Sequence, residues 1–355
     1  MKKTLVAIAA AAAVTGAMAE ATLSGFVQIG TNATQTTTAG VATSKTTLED
    51  SNANTALNFT DVEDLGDGLK LTTVIGLLPS IGSSSTLGGQ TTFAALSGGF
   101  GELKAGKFGN DQFWTVVAGD ATGYMGNNAA VVNLAFGSTA ATTTTYTNSG
   151  VLTTSFVNSA TTGSSEVWTA NQIRYQLPTF VSGLTVAYTN KVGSQTTNIY
   201  GAETVLVGYT TGGFNAQVAT TQYKPAVCTT DTLTAIAASY DFGVAKLYAL
   251  STSAKIQSVG TVTGKNLGVS VPMGAFTLMY NNSTADGYLS NRAITAVSQS
   301  NSEVAVTYGF SKRTTGWIYY TKYDGASAGQ NGGGTASTTT SNGFNSVRLM
   351  LLHSF

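Results

Sequence analysis

The chain of 355 residues contains one histidine, one cysteine and few charges, and each scarcity excludes something. His353 is the sole imidazole, so serine–histidine catalysis would have to run through it. It falls on the apolar face of the last alternating segment, a poor place for a catalytic base. Cys228 allows no internal disulfide and has no nearby histidine, which makes it a bystander rather than a nucleophile. Charged residues make up 10% of the chain and balance at 17 basic against 17 acidic. That neutrality offers no electrostatic footprint for nucleic acid. Although 42% of residues are hydrophobic, no apolar run reaches the roughly 18 residues a membrane-spanning helix needs. Beyond the first residues no segment shows a helical period of useful length. No metal- or cofactor-binding pattern stands out: Gly98-Gly99-Phe100-Gly101 opens a strand rather than a helix and reads as a turn, not a phosphate cradle.

What is present begins with a leader. Lys2 and Lys3 are followed by an apolar run from Leu5 to Val14 and by Ala17-Met18-Ala19, the three parts of a secretory signal. Cleavage after Ala19 is expected, leaving residues 20–355 as one domain that starts at Glu20. At the other end, Asn345 to Phe355 alternates strictly: Val347, Leu349, Leu351, His353 and Phe355 share one face, and Ser346, Arg348, Met350, Leu352 and Ser354 the other. An aromatic at the end of such a strand suits the interfacial belt of a membrane barrel and offers assembly machinery a recognition handle.

Between these ends run short alternating segments, including Leu69–Leu77, Glu102–Phe108, Trp168–Leu177, Ser302–Phe310 and Thr315–Tyr323. They number about sixteen, an even count that suits a closed antiparallel barrel. Their connections alternate between short (Asp61–Gly68, Asp241–Gly243, Ser311–Arg313) and long (Thr31–Asn54, Gly109–Val167, Asn282–Asn301, Asp324–Gly343). Short turns at one rim and long loops at the other give the polarity of an outer-membrane barrel. In Ser302–Phe310, Val304, Val306, Tyr308 and Phe310 would face lipid, and Glu303, Ala305, Thr307 and Gly309 a wet interior. Aromatics bracket the short turns in pairs (Tyr209 and Phe214, Tyr240 and Phe242, Tyr308 and Phe310), as an interfacial girdle requires. The fold expected is all-β, a transmembrane antiparallel barrel.

Four segments, Phe59–Lys70 (FTDVEDLGDGLK), Leu96–Phe108 (LSGGFGELKAGKF), Asn171–Tyr188 (NQIRYQLPTFVSGLTVAY) and Asn345–Phe355, resemble the trimeric general porins of Gram-negative outer membranes. The resemblance implies sixteen strands, a homotrimer, and a third extracellular loop, here Gly109–Val167, folded into the lumen. It also makes Asp61–Asp67 a solvated turn rather than a calcium loop. Pore-lining candidates carried by it are Ala56, Lys107, Asp111, Asp120, Trp168, Gln172 and Arg174, with Phe355 as assembly signal. The sequence departs from the family where channel charge is set. Ala56, Trp168 and Leu352 stand where arginine is usual, and the long loop has only Asp111, Asp120 and Glu166 as acids.

The function expected is passive diffusion of small hydrophilic solutes and ions with weak charge selectivity, without cofactor or enzymatic step. Expected partners are two further copies of the chain, outer-membrane lipid and lipopolysaccharide, and the barrel-assembly machinery. A surface adhesin or structural barrel is the alternative, since Thr/Ser-rich loops could equally bind something.

Overall fold

The computed structural model describes residues 21–38, 41–49, 55–79, 91–123, 168–193, 201–224, 231–256, 260–286, 288–290, 293–295, 299–324 and 341–355. The leader, Cys228, Glu166 and most of Gly109–Val167 lie outside them. In chain order the first strands are β1 (Thr22–Thr38), β2 (Val41–Glu49), β3 (Ala56–Gly66), β4 (Leu69–Leu77), β5 (Thr92–Gly98) and β6 (Gly101–Gly109). A helix α1 (Asp111–Ala118) follows, then β7 (Trp168–Gln176), β8 (Leu184–Lys191), β9 (Gly201–Thr211), β10 (Phe214–Lys224), β11 (Asp231–Asp241) and β12 (Lys246–Ile256). The last are β13 (Gly260–Met273), β14 (Phe276–Asp286), the small hairpin β15 (Tyr288–Ser290) and β16 (Ala293–Thr295), β17 (Gln299–Gly309), β18 (Thr314–Asp324) and β19 (Ser341–Ser354).

Seventeen of these strands form one sheet whose ends meet. β1 pairs antiparallel with β19 on one side, from Phe26 opposite Ser354 upward. On its other side β1 pairs first with β3 and then with β2, which therefore share one stave of a sixteen-stave barrel. Closure satisfies every backbone ladder without an edge, the condition for a sheet to exist in hydrocarbon. No helix among the described residues is long and apolar enough to cross a membrane, so the crossing is made by strands.

The period of two sorts side chains as the sequence predicts. Along β17 the buried residues Asn301, Glu303, Ala305 and Thr307 alternate with Val304, Val306 and Tyr308. In β19, Ser346, Arg348, Met350 and Leu352 point inward, while Val347, Leu349, Leu351, His353 and Phe355 stay exposed on the outer wall. Beside the short turns Tyr240 meets Phe242 with ring centroids 4.6 Å apart, and Tyr308 meets both Phe276 (4.7 Å) and Phe310 (4.9 Å). These exposed pairs form the aromatic girdle at the short-turn rim.

Three expectations need correction. Asp61–Gly68 is not all turn: β3 runs to Gly66, and only Asp67 and Gly68 turn. The segment beginning at Thr31 is not open loop, because β1 continues to Thr38 and folds back as β2, Thr38 opposite Val41. Its β-branched threonines favour that ladder. Third, a helix does exist beyond the leader, over Asp111–Ala118.

Candidate functional site

Helix α1 stands inside the barrel. Asn110 supplies its N-cap, accepting from the Phe113 amide at 2.6 Å, and Asp111 places a carboxylate in the first turn, where the helix dipole favours it. Gly119 ends it, returning its amide to the Val116 carbonyl at 3.1 Å. Phe113 and Val116 are buried against the inner faces of β9 to β12, where Leu206, Ala219, Leu233, Ala235 and Ala237 leave room for a helix. The Gln112 carboxamide reaches the Thr221 hydroxyl at 3.1 Å. An eight-residue helix is marginal in water, so this wall contact is what makes it persist.

Both ends of the helix are pinned. At the start, Arg174 on β7 directs Nε to both carboxylate oxygens of Asp111 at 3.0 Å, and Thr189 donates to the same carboxylate at 2.9 Å. Arg174 Nη1 donates to Gln176 Oε1 at 3.0 Å and lies 3.7 Å from Glu102, which pairs with Lys104 at 3.3 Å. Lys104 in turn lies over the rings of Phe93 and Phe108, 4.9 and 5.3 Å from their centroids. At the far end, Asn266 donates to the Gly119 carbonyl at 2.8 Å. Asn281 donates to Asp120 at 2.7 Å and accepts from the Ala121 amide at 3.1 Å. Ala121 packs among Met279, Ala305, Tyr319 and Met350. Gly268 faces it, and a Cβ there would lie 3.0 Å from the Ala121 methyl, so glycine permits the close approach. The segment from Asn110 to Gly123 thus leaves β6, lies along the wall and reaches β14 across the interior.

The expected site residues separate into groups. Asp111 and Arg174 are brought together, and Asp120 forms the far anchor. Gln172 is buried, its amide donating to the carbonyls of Phe108 (2.9 Å) and Thr169 (2.7 Å) where the β6–β7 register slips. Lys107 sits half-buried in that same irregularity. Ala56 and Leu352 lie on the inner wall but are packed away at 1% and 9% exposure. Trp168 opens β7 opposite Gly109; its side chain is outside the described residues. Sequence reasoning missed Gln112, Thr189, Asn266 and Asn281. The two asparagines lie in mid-strand on the inward parity, where a polar side chain is ordinary, so nothing local distinguished them.

A closed barrel with a helix docked inside is the geometry on which comparison with known proteins can be made. The family model for Gram-negative porins matches residues 4–328. The chain belongs to the Gram-negative porin family. Among curated relatives, this porin is 36% identical over 110 residues to the major outer membrane protein P.IB of Neisseria lactamica, covering 30% of this chain and 33% of that one. It is 34% identical over 111 residues to the P.IB protein of Neisseria meningitidis serogroup B, covering 30% and 34%. The aligned region therefore spans about a third of the length of these relatives. Its fold is similar to the anion-selective porin from Comamonas acidovorans, with TM-score 0.72, 20% identity, and coverage of 95% of this chain and 100% of that one. OmpF of Salmonella typhi gives TM-score 0.67 at 12% identity, covering 95% and 98%. These two likenesses are of fold. The porin's location is the cell outer membrane.

Proposed function

We propose that this porin forms a water-filled channel for passive diffusion of small hydrophilic solutes and ions, narrowed by the segment that contains α1. The observation that carries the reading is that helix: a structural barrel or adhesin has no use for an element pinned at both ends inside its own lumen. The working form is a homotrimer whose outer wall contacts lipid and lipopolysaccharide, delivered after removal of residues 1–19 and folded by the barrel-assembly machinery, with Phe355 as its recognition handle. Planar-bilayer recording of the purified protein tests the core of this. Stepwise ohmic conductance is expected, and membranes that stay silent at saturating protein would overturn it.

The channel is expected to be weakly selective, because several of its inner charges stand close to a charge of opposite sign. Arg174 meets Asp111, and Lys104 meets Glu102. Lys70 stands opposite Asp64, and Lys246 opposite Asp241, in the strand registers. An unpaired charge about 10 Å from a permeating ion contributes ~0.4 kcal/mol through water, roughly a twofold bias. A neutralised pair contributes less, and ~0.1 M salt screens over that same distance. The permeability ratio of chloride to potassium, taken from the reversal potential in a salt gradient, should lie within about threefold of unity. A steep preference for either ion would show that unpaired charge controls the pore.

A further inference from the structure

The turn that joins β17 to β18 differs in charge from the other turns at its rim. It carries Lys312 and Arg313 side by side, both exposed, and no acid. Asp67 makes the β3–β4 turn acidic, and Asp241 and Lys246 balance across the turn between β11 and β12. The turns after β5, β7, β9 and β13 hold no charge.

This turn is built to hold its shape. The Ser311 hydroxyl accepts the amides of Arg313 (3.2 Å) and Thr314 (3.1 Å), and the Thr314 carbonyl accepts those of Phe310 (2.9 Å) and Ser311 (3.2 Å). The Arg313 carbonyl accepts the Ser354 amide at 2.8 Å, which ties the turn to the end of β19. Thr314 stands opposite His353 there, its hydroxyl 2.9 Å from Nδ1, so the exposed imidazole is held with Nε2 left for another partner. The two cationic heads take part in none of these bonds. Phe355 ends the chain one residue beyond Ser354, yet among the described residues its carboxylate pairs with neither Lys312 nor Arg313, and no other acid does.

The wall beside the turn is apolar. Phe310, Ile318, Leu349 and Leu351 are exposed on the outer side. Gly316 lies among them, opposite Leu351, and a Cβ there would come within 2.9 Å of the Phe310 ring, which therefore rests against the glycine backbone. Two cations without an acidic partner, set directly on an apolar wall at a membrane rim, are complementary in charge and polarity to a lipid with an anionic head. The polarity of an outer-membrane barrel puts this rim on the periplasmic side, in the leaflet opposite the long loops.

We propose that Lys312, Arg313 and His353 form a headgroup site for an anionic glycerophospholipid. Its phosphate meets the two cations and the imidazole, and its acyl chains lie on Ile318, Leu349 and Leu351. The site specifies one partner within the lipid contact proposed above and rests on that reading of the wall. A guanidinium grips phosphate through paired N–H groups and a lysine adds a point charge, so both basic residues contribute. A zwitterionic lipid brings its own ammonium to the same place and gains less.

The experiment is native mass spectrometry of the full-length folded protein released from mixed micelles that contain phosphatidylglycerol or phosphatidylethanolamine. The wild type should retain phosphatidylglycerol at the lower lipid concentration. Each basic residue near a lipid surface is worth about fivefold in affinity, so Lys312→Gln/Arg313→Gln should weaken that retention about 10- to 30-fold. His353→Phe, which keeps a ring on the wall without its nitrogens, should weaken it by less. The control Lys255→Gln/Lys265→Gln removes the same charge from exposed positions on β12 and β13, toward the other rim, and should retain lipid as the wild type does. Because Ser311 and backbone groups hold the turn, folded protein is expected from each variant, which a heat-modifiable band checks before lipid is added. Equal retention of the two lipids by the wild type, or equal losses in the turn and control variants, would overturn the headgroup site alone. Retention of neither lipid would sink the reading of the wall together with the site.

Discussion

Arg174→Ala should free the start of the lumenal helix from the wall while leaving the barrel intact. Asp111 is 7% exposed, and Arg174 and Thr189 hold its carboxylate in the wall. Removing the guanidinium leaves a buried charge served by Thr189 alone, a change that costs about 3–5 kcal/mol where one partner of a buried pair is lost. The β6–β7 and β7–β8 ladders run through backbone groups and do not need that side chain. The cost is therefore relieved by moving the helix, not by opening the barrel. Single channels should become noisy, with a changed mean conductance, while the folded band on unheated gels remains. The double variant Asp111→Asn/Arg174→Met removes both charges and should recover much of the quiet wild-type trace, since replacing a whole buried pair is often close to neutral. If Arg174→Ala alone conducts with wild-type amplitude and noise, the pair does not hold the loop. A double-mutant cycle on current noise gives the coupling directly.

The barrel was legible because alternation is a local signal and the wall repeats it sixteen times. Leu69–Leu77 is read from the sequence with the bounds found in the structure, and elsewhere the ends differ by a few residues. The largest extension, β1 to Thr38, came from a threonine-rich stretch that looks like loop until its partner β2 is known. Helix α1 was not legible for the opposite reason. Its stabilisation is tertiary: Phe113 and Val116 find an apolar groove of alanines and leucines contributed by β9 to β12, none of which is near in sequence. Only Asn110 followed by Asp111 hinted at a helix start.

The site was reached through resemblance more than through the residues themselves. Asp111 and Arg174 are separated by 63 positions and meet because β6 and β7 pair across the loop between them. Ala56 and Leu352 show where the resemblance needed the structure. They face inward, as expected for positions where arginine is usual, yet both are packed against neighbours rather than bathed by the pore. Beside Ala56, Thr55 accepts the Gln28 amide at 3.3 Å, and Gln28 donates to the Met350 sulfur at 3.6 Å. An arginine at 56 would have to displace that packing before its charge reached the ions. Introducing charge there thus tests packing first and selectivity second.

The seam of the barrel should prove its least forgiving place, and Gly25→Val its most damaging single change. Here β1 is gripped from both sides: Gly25 stands opposite Leu57 of β3, and its amide and carbonyl bond the carbonyl (3.3 Å) and amide (3.1 Å) of Phe355. A Cβ at this position would overlap the Ala56 carbonyl and approach the Phe355 ring to 3.0 Å. The carbonyl is the obstacle that cannot swing aside, whereas the exposed Phe355 ring can turn. That carbonyl is backbone inside the β1–β3 ladder. Overpacking of this kind costs about 1–3 kcal/mol in a core, and each ladder bond broken to relieve it costs about 1 kcal/mol more. Closure concentrates the whole cost, because a barrel that cannot join β1 to β19 exposes two unpaired edges to lipid. The yield of heat-modifiable, folded protein in the outer membrane should fall several-fold for Gly25→Val and less for Gly25→Ala. Gly309→Ala is the matched control, since a Cβ there would meet nothing nearer than 3.8 Å. Its yield should match wild type. If Gly25→Val folds as well as that control, the seam has slack that these contacts do not reveal, and β1 can shift along or away from its neighbours without opening the wall.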